Sequence, residues 1–243
     1  MALRGAMMGW GAGLLLGLLS AGRLLAQDTS RASHADTLRL KADTTKTGVR
    51  LMTEGTITYK LQSADAPKPE AAILASTSYV LSLKGSRVRT DFAGILGSTT
   101  TIYSSLTHAG ALLQEYGQEK ILIRMNKEDF EDLGKPSRMT YTFTGDTATI
   151  AGYPCKRAIG RTPAGDTLMI WYTPDLLPQN KEYSYRFNPL PGLPLAYEGR
   201  MGPSKVTFTA VKVSLDPVPS AKFDIPKSGG YREMSYEESK KVR

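Results

Sequence analysis

The sequence contains one cysteine, two histidines and two tryptophans in 243 residues, and these shortages exclude several kinds of site. A single cysteine, Cys155, cannot form an intramolecular disulfide or a cysteine-based zinc or iron–sulfur site. We interpret Cys155 as a small apolar strand residue after Pro154, the alternative being a reactive thiol or an intermolecular bridge. His34 and His108 do not form a metal-binding spacing with each other or with a carboxylate. No metal site is therefore predicted.

Signatures of common catalytic sites are also lacking. There is no Gly-x-Ser-x-Gly elbow and no glycine-rich phosphate loop. Glu128, Asp129, Glu131 and Asp132 cluster on a predicted short helix, where carboxylates usually serve solubility and the helix dipole. Glu198 is the one carboxylate of interest, and a charge on a strand face is the favoured interpretation of it. We predict that the protein is not an enzyme and uses no cofactor.

Long apolar runs are confined to the N-terminus. Residues 1–26 contain a positive charge at Arg4, an apolar run from Ala6 to Leu19 and small residues around Ala26. This layout is typical of a secretory signal peptide. An uncleaved membrane anchor is the alternative, but the run is shorter than the ~20 residues that span a bilayer. We predict cleavage before Gln27, export to the periplasm or the cell exterior, and no transmembrane segment after cleavage.

The rest of the chain divides into a spacer and one domain. Residues 27–47 are rich in Thr, Ser, Asp, Ala and Lys, with too little apolar surface to offset the entropy of ordering, which predicts a disordered spacer. Residues 48–243 have the size of a single domain. Without Arg4 and Arg23 of the signal peptide, the formal net charge falls from +8 to +6.

Period-two alternation of apolar and polar residues dominates the domain. It runs through Val49 to Leu61, Arg138 to Phe143 and Thr167 to Thr173, among others, and indicates ten or more short strands. Turns are predicted at Lys84-Gly85-Ser86 and at Gly145-Asp146. So many antiparallel strands rarely stay flat, so we predict a mainly β fold with a curled antiparallel sheet, as a barrel, a half-barrel or a sandwich.

Helices and loops fill the remaining segments. Asn126 to Leu133 is predicted to form a short helix capped by Asn126, and Glu233 to Lys241 a charged terminal helix. Ala64 to Glu70 is predicted to be a loop and Pro217 to Pro226 to be extended. Phe92 to Gly97 is apolar but flanked by glycines, which indicates a loop that needs cover.

A Pro-Gly-Pro loop lies in the middle of the strongest strand signal. In Asn188 to Glu198, Pro189, Pro191 and Pro194 stiffen the backbone while Gly192 permits a turn. We predict a structural corner here, and Gly192→Val is expected to destabilise the domain. Whether the loop also forms a lip with leucines pointing inward is left open.

Several segments, taken in order, resemble a known group of proteins. They are Ile150-Ala-Gly-Tyr-Pro-Cys155, Ile170-Trp-Tyr-Thr-Pro174, Leu190-Pro-Gly-Leu-Pro-Leu195 and Phe223-Asp-Ile-Pro226. Together they resemble exported bacterial envelope proteins of unknown function related to the Gly-Leu-Pro-Gly-Leu-Ile type. This chain has Pro189 and Pro194 where that signature has Gly and Ile. The resemblance implies a half-barrel similar to the LolA-like periplasmic lipoprotein carriers, with short helices or loops over a concave apolar face.

These expectations favour a binding protein. The leading hypothesis is a module that binds a lipid, acyl chain or lipidated peptide on the concave face of the sheet. The residues predicted to line or cover this site are Phe92, Ile95, Leu96, Trp171, Tyr185, Phe187, Leu190 and Leu193. For any one of them, packing in a dry core is the more common role.

The alternative hypothesis is a structural or interaction protein of the cell envelope with a filled core. An envelope protein or an anionic surface would then be the partner, and three basic clusters could contact it. These clusters are Lys84, Arg87 and Arg89; Lys156, Arg157 and Arg161; and Lys240, Lys241 and Arg243. Nucleic acid is not expected, because no stacking aromatic residues interleave with the clusters in an exported chain.

Overall fold

The computed structural model describes residues 48–134, 139–201, 204–227 and 230–241. The predicted signal peptide, residues 1–26, and the predicted spacer, residues 27–47, lie outside the described residues.

The described residues form strands, three short helices and two 3-10 turns. The strands are β1 Arg50–Met52, β2 Glu54–Gln62, β3 Ser78–Lys84, β4 Arg87–Gly94, β5 Gly97–Ser104, β6 Ala109–Tyr116, β7 Glu119–Met125, β8 Thr140–Ile150, β9 Tyr153–Arg161, β10 Thr167–Thr173, β11 Leu176–Pro178, β12 Leu193–Met201, β13 Ser204–Ser214 and β14 Arg232–Ser235. The helices are α1 Lys68–Ser76, α2 Lys127–Gly134 and α3 Tyr236–Lys241. The 3-10 turns are Lys181–Tyr183 and Ser220–Phe223. The predicted mainly β fold class is confirmed.

Twelve of these strands form one sheet, in the order β14-β7-β6-β5-β4-β3-β2-β13-β12-β10-β9-β8. One half is the meander from β3 to β7, and the other contains β8, β9, β10, β12 and β13. The antiparallel pairing of β2 with β13 joins the halves, and β14 adds to β7 as a parallel strand. Strands β1 and β11 form a separate parallel pair.

The sheet curls into an open half-barrel, because β14 and β8 end it and do not pair with each other. Its inner face carries one continuous apolar core that joins residues from distant strands. Leu112 on β6 and Ile123 on β7 belong to the same cluster as Ile170 on β10 and Val206 on β13. Alternation along each strand puts these residues on the concave side.

The convex face is covered by the segment after β13. Ile225 and Tyr231 pack against a second apolar cluster on β5, β6 and β7. Arg89 on β4 donates a 2.8 Å hydrogen bond to the carbonyl of Lys222, and the Arg87 guanidinium lies 5.3 Å from the centre of the Phe223 ring. The C-terminal segment therefore closes the outside of the first half of the sheet. The site described below lies on the inside.

Two of the helices were predicted from the sequence. Asn126 caps α2 by accepting a 2.9 Å hydrogen bond from the amide of Asp129, and Asp129 accepts one in return from the amide of Asn126 at 3.0 Å. Ser235 and Glu238 form the same reciprocal arrangement at the start of α3. Helix α1 was not predicted, because its two prolines indicated a loop, whereas Pro69 lies in the first helical turn. There a missing amide costs no hydrogen bond.

Four local predictions were wrong or incomplete. Gly145-Asp146 is not a turn: β8 continues through it with an irregularity between Phe143 and Thr147, and the chain turns at Ala151-Gly152 with positive φ at both residues. Phe92 to Gly97 is a tight hairpin rather than a covered loop, and the Ile95 side chain is 72 % exposed. Pro217 to Pro226 includes a 3-10 turn. Glu233 to Ser235, predicted as the start of the terminal helix, belong to strand β14, and the helix begins at Tyr236.

Candidate functional site

The concave face contains a cavity of about 170 Å³ between the sheet and two covering segments. Its floor is formed by inward-facing residues of β2, β3, β4, β5, β12 and β13. Among them are Tyr59, Tyr79, Phe92, Tyr197 and Phe208. Well-packed cores have few voids larger than a water molecule, so a cavity of this volume is unusual for a packed interior.

Helix α2 and residues 181–187 cover the cavity, and we call these two segments the lid. Phe130 of α2 packs edge-to-face on Tyr103 of β5, with ring centres 4.8 Å apart. Phe187 packs in the same manner on Tyr197 of β12 at 4.7 Å. The two parts of the lid also contact each other, because a Cβ atom at Gly134 would lie 2.5 Å from the Tyr185 ring. The lid is thus packed onto the aromatic floor.

A small number of polar contacts fix the second part of the lid to the sheet. The Asn180 amide group donates a 3.0 Å hydrogen bond to the carbonyl of Ser86, next to the β3–β4 turn. The Tyr103 hydroxyl donates to the Glu182 carboxylate at 2.5 Å, and His108 Nδ1 lies 3.3 Å from the same oxygen. At the other end, the Tyr141 hydroxyl donates to the carbonyl of Arg186. Both ends of the segment are therefore tied to strands.

Tyrosines give the cavity wall a polar component. The Tyr59 hydroxyl donates a 2.8 Å hydrogen bond to the carbonyl of Pro194. The Tyr183 hydroxyl is buried and has no hydrogen-bond partner among the described residues. Burial raises the pKa of Tyr59, Tyr183 and Tyr197 well above the ordinary value of 10.0, so the hydroxyls stay neutral. Burial also raises the pKa of Tyr79 to about 12, against the opposing effect of Arg186.

Three charged residues among those described line the cavity, and two of them contact a hydrogen-bonding group or a residue of opposite charge. Glu182 is engaged by Tyr103 and His108, and Arg200 lies 3.8 Å from Asp166. Arg186 forms no ion pair with a carboxylate of the described residues. Its Nη1 atom lies 3.6 Å from the position that a Cβ atom at Gly199 would take, so it borders the open space beside β12. Arg186 is only partly buried.

The structure brings three of the eight predicted site residues to this cavity. Phe92 lies on its floor, and Tyr185 and Phe187 lie in its lid. Leu96 lines a separate, smaller cavity of about 30 Å³, which Phe92 also borders. Ile95 is at the exposed tip of the β4–β5 hairpin and contacts neither space. That any of these residues contacts a ligand stays a prediction.

The other three predicted residues do not line the cavity. Leu190 and Leu193 are in the closed core, 3 % and 0 % exposed. Trp171 of β10 is partly buried, and the Arg157 guanidinium lies 5.9 Å from the centre of its ring. The Pro-Gly-Pro loop is thus a packed corner beside the site. Gly192 fits there because a Cβ atom would lie 2.1 Å from the carbonyl oxygen of Thr173, so close approach, rather than an unusual turn, requires glycine.

Polar groups considered for chemistry are engaged elsewhere or buried. Glu198 accepts a 2.8 Å hydrogen bond from the amide of Met169 and pairs with Lys205 at 2.8 Å. Cys155 is 1 % exposed, and burial raises the pKa of its thiol to about 11. This agrees with its interpretation as a small apolar strand residue. In the part of the chain that the structure describes, no three His, Cys, Asp or Glu residues group as a metal site, and no helix is long and apolar enough to cross a membrane.

Four of the nine residues of the basic clusters pair with neighbouring carboxylates. Lys84 pairs with Glu54 at 2.6 Å and Arg89 with Asp91 at 2.7 Å. In the other clusters Arg157 pairs with Asp146, and Lys240 pairs with Asp132 and Glu237. Arg243 lies outside the described residues. Each cluster thus loses part of its positive charge to an ion pair.

Most residues of the cavity carry no local signal of their position. Tyr59 and Tyr79 lie in segments of period-two alternation, but nothing in the local pattern indicates that strands β2, β3 and β12 meet. Arg186 lies between Tyr185 and Phe187. A basic residue flanked by aromatic residues at a strand-like spacing was the available signal.

The chain matches no known family model and no curated protein. A structure of PNGF-II is 15 % identical over 76 % of this chain, with a TM-score of 0.43, and this chain spans only 32 % of that protein. A structure of an uncharacterized conserved protein from Thermus thermophilus is 10 % identical, with a TM-score of 0.42, over 76 % of this chain and 91 % of that one. These likenesses are too low to support a statement about function.

Proposed function

We propose that this protein is an exported, non-catalytic module of the cell envelope that binds an apolar ligand, such as a lipid, an acyl chain or a lipidated peptide, inside the half-barrel. The cavity of about 170 Å³ between the aromatic floor and the lid is the observation that carries the proposal. Apolar, largely enclosed pockets with a few polar groups are the usual form of small-molecule sites. The export part rests on the signal-peptide pattern of residues 1–26.

The pocket opens partly to solvent, so a ligand could enter from that side. Most of its wall is apolar, because the rings of Tyr59, Tyr79, Tyr197 and Phe208 contribute to it. Removing apolar surface from water is favourable by about 25 cal/mol per Å². Apolar walls around an accessible space therefore favour an apolar ligand.

The volume also limits what the closed site can hold. At ~30 Å³ per methylene, close to the volume of a water molecule in the liquid, the cavity accepts about six methylene groups. A longer acyl chain would extend through the opening of the pocket or displace the lid. Because few polar contacts hold the lid, the packing of Phe130 on Tyr103 and of Phe187 on Tyr197 is the main resistance to its displacement.

Native mass spectrometry of the protein purified from the envelope of the cell that makes it, followed by organic extraction, tests the proposal. The expected result is a stoichiometric mass of lipid size that extraction removes. A matched pair of variants tests whether the bound molecule occupies the cavity. Gly199→Val directs a side chain into the cavity, where a Cβ atom meets the Phe208 ring at 3.3 Å and Arg186 Nη1 at 3.6 Å, so Phe208 must shift by a few tenths of an ångström. Gly145→Val makes the same change on β8, where nothing lies within 4 Å of the new Cβ atom.

We expect Gly199→Val to lose the bound mass while a cooperative thermal unfolding transition shows that the variant still folds. Gly145→Val should retain the mass. A wild-type protein that is free of ligand and that takes up no offered lipid would contradict the proposal. The alternative, a filled-core envelope protein that recognises another macromolecule, would then be preferred.

A further inference from the structure

We propose that the ligand is an anionic amphiphile whose apolar chain occupies the cavity and whose carboxylate or phosphate group binds the guanidinium of Arg186. This inference rests on the proposed function and adds the chemistry of the head group. The geometry points to it because the cavity combines apolar walls with a single cation that no described carboxylate neutralises.

The first step is the elimination of the other charges around the cavity. The Glu182 carboxylate accepts from the Tyr103 hydroxyl at 2.5 Å and lies 3.3 Å from His108 Nδ1. Arg200 lies 3.8 Å from Asp166 Oδ1. Both are engaged at the edge of the site. Arg186 is the lining charge whose partner must come from outside the described residues.

The second step is the position of Arg186 among neutral groups. Its backbone carbonyl is held by the Tyr141 hydroxyl, and its guanidinium carbon lies 5.9 Å from the centre of the Phe187 ring. Tyr79, Tyr141 and Tyr197 are close enough for the charge of Arg186 to counteract the effect of burial on their pKa values. These groups can donate hydrogen bonds but carry no negative charge. The surroundings of Arg186 thus suit an anion.

The third step is the fit of both parts of one molecule. Arg186 and Gly199 line the same cavity, and Arg186 Nη1 lies 3.6 Å from the position that a Cβ atom at Gly199 would take. Guanidinium groups bind carboxylates and phosphates through paired hydrogen bonds. A chain of about six methylene groups in the cavity then leaves a terminal anion next to Arg186.

The test compares three probes with the same chain: octanoate, octan-1-ol and octyl phosphate, each titrated by calorimetry into the mature protein. Wild-type protein is expected to bind octanoate about tenfold or more tightly than octan-1-ol, the usual contribution of a hydrogen bond to a charged group. Arg186→Gln should reduce octanoate binding to the level of octan-1-ol without changing the affinity for octan-1-ol. Arg186→Lys should keep part of the preference.

Arg124→Gln is the matched control. It removes one positive charge from an exposed arginine of β7 that pairs with Glu233, far from the cavity, and should keep the full preference for octanoate. This control separates recognition by Arg186 from the general attraction of a basic protein for anions. The relative affinity for octyl phosphate and octanoate distinguishes a phospholipid-type head group from a free carboxylate.

Each outcome decides between the two proposals. If wild type binds octan-1-ol and octanoate equally, or if Arg186→Gln weakens both equally, the anion inference is wrong while an apolar site stands. If neither probe binds, the proposed function fails and the inference fails with it. Should Arg186→Gln not fold, Arg186→Lys takes its place, and a preference for octanoate unchanged from that of the wild type would overturn the inference.

Discussion

Removal of one hydroxyl from the lid should make the protein more stable. Tyr183 is 8 % exposed, and its hydroxyl has no hydrogen-bond partner among the described residues. Burying a hydroxyl without a partner costs about 1–3 kcal/mol. Tyr183→Phe removes this group and keeps the ring that packs in the core. We expect the free energy of unfolding to rise by about 1 kcal/mol, which corresponds to roughly 2–4 °C in Tm for a domain of this size.

Tyr59→Phe is the matched control, because the same chemical change there should have the opposite sign. Tyr59 is 2 % exposed, and its hydroxyl donates a 2.8 Å hydrogen bond to the carbonyl of Pro194. Loss of this donor leaves a buried carbonyl without that bond, at a cost of about 1–2 kcal/mol. Urea and thermal denaturation of the two variants and the wild type, at one pH and protein concentration, measure the difference.

A decrease in stability for both variants would refute the reasoning. It would mean that the Tyr183 hydroxyl forms a hydrogen bond in solution, through water or a shifted lid. An increase for Tyr183→Phe alone would show that the lid retains a destabilising group. Groups of this kind are common where a segment must move or bind.

Three further predictions concern stability. Gly192→Val should lower the free energy of unfolding by about 3 kcal/mol, because a Cβ atom there would lie 2.1 Å from the Thr173 carbonyl oxygen. A Tm equal to that of Gly145→Val would show that the Pro-Gly-Pro corner is not closely packed at Gly192. Asn126→Ala should cost about 1 kcal/mol by removing the cap of α2, seen as a lower Tm, and an unchanged Tm would show that the capping contact contributes nothing. Glu54 accepts hydrogen bonds from Lys84 and from the amide of Val218, which lower its pKa below the ordinary value of 4.5. A lowered carboxyl pKa stabilises the fold above pH 4.5, and this stabilisation is lost as pH falls through the folded-state pKa. The Tm difference between wild type and Glu54→Gln should therefore be present at pH 7 and shrink below pH 4.5. A Tm difference that is independent of pH would refute the assignment of this stabilisation to the Glu54 carboxylate.

The fold class was predictable because it depends on local periodicity. Alternation such as that from Tyr79 to Leu83 places residues on one face or the other whatever strand lies alongside. The cap of α2 was predictable for the same reason, since Asn126 and Asp129 act within one turn. Properties of this kind need no knowledge of the distant chain.

The errors arise where a local signal has two physical solutions. Gly145-Asp146 resembles a turn, but the same residues fit a strand irregularity, and pairing of β8 with β9 on both sides of it decides the outcome. A proline can end a helix or begin one, depending on which residues follow it, and Pro67 and Pro69 are two such prolines. In α1 the alanine-rich stretch after Pro69 favours the helix.

The cavity was beyond the sequence because its parts meet only through long-range pairing. Tyr59 and Tyr197 have ring centres 5.6 Å apart although they are remote in sequence, and β13 lies between their strands. The prediction concentrated instead on apolar loops, since loops carry many binding sites. Leu190 and Leu193 are buried in the core, near the point where β12 begins to pair with β10.

The distribution of contacts around the lid indicates where the molecule can open. The sheet is held by continuous ladders from β14 to β8, whereas residues 181–187 are joined to it by side-chain contacts such as those of Tyr103 and His108 with Glu182 and of Tyr141 with the Arg186 carbonyl. Between those contacts lie the buried Tyr183 hydroxyl and the Arg186 guanidinium, which gain nothing from hydrogen bonds or ion pairs with the described residues in the closed state. Segments with few supporting contacts open at lower free energy than core strands. If the proposed function holds, the lid is where a ligand longer than the cavity would enter, and an anionic head group at Arg186 would stabilise the liganded form.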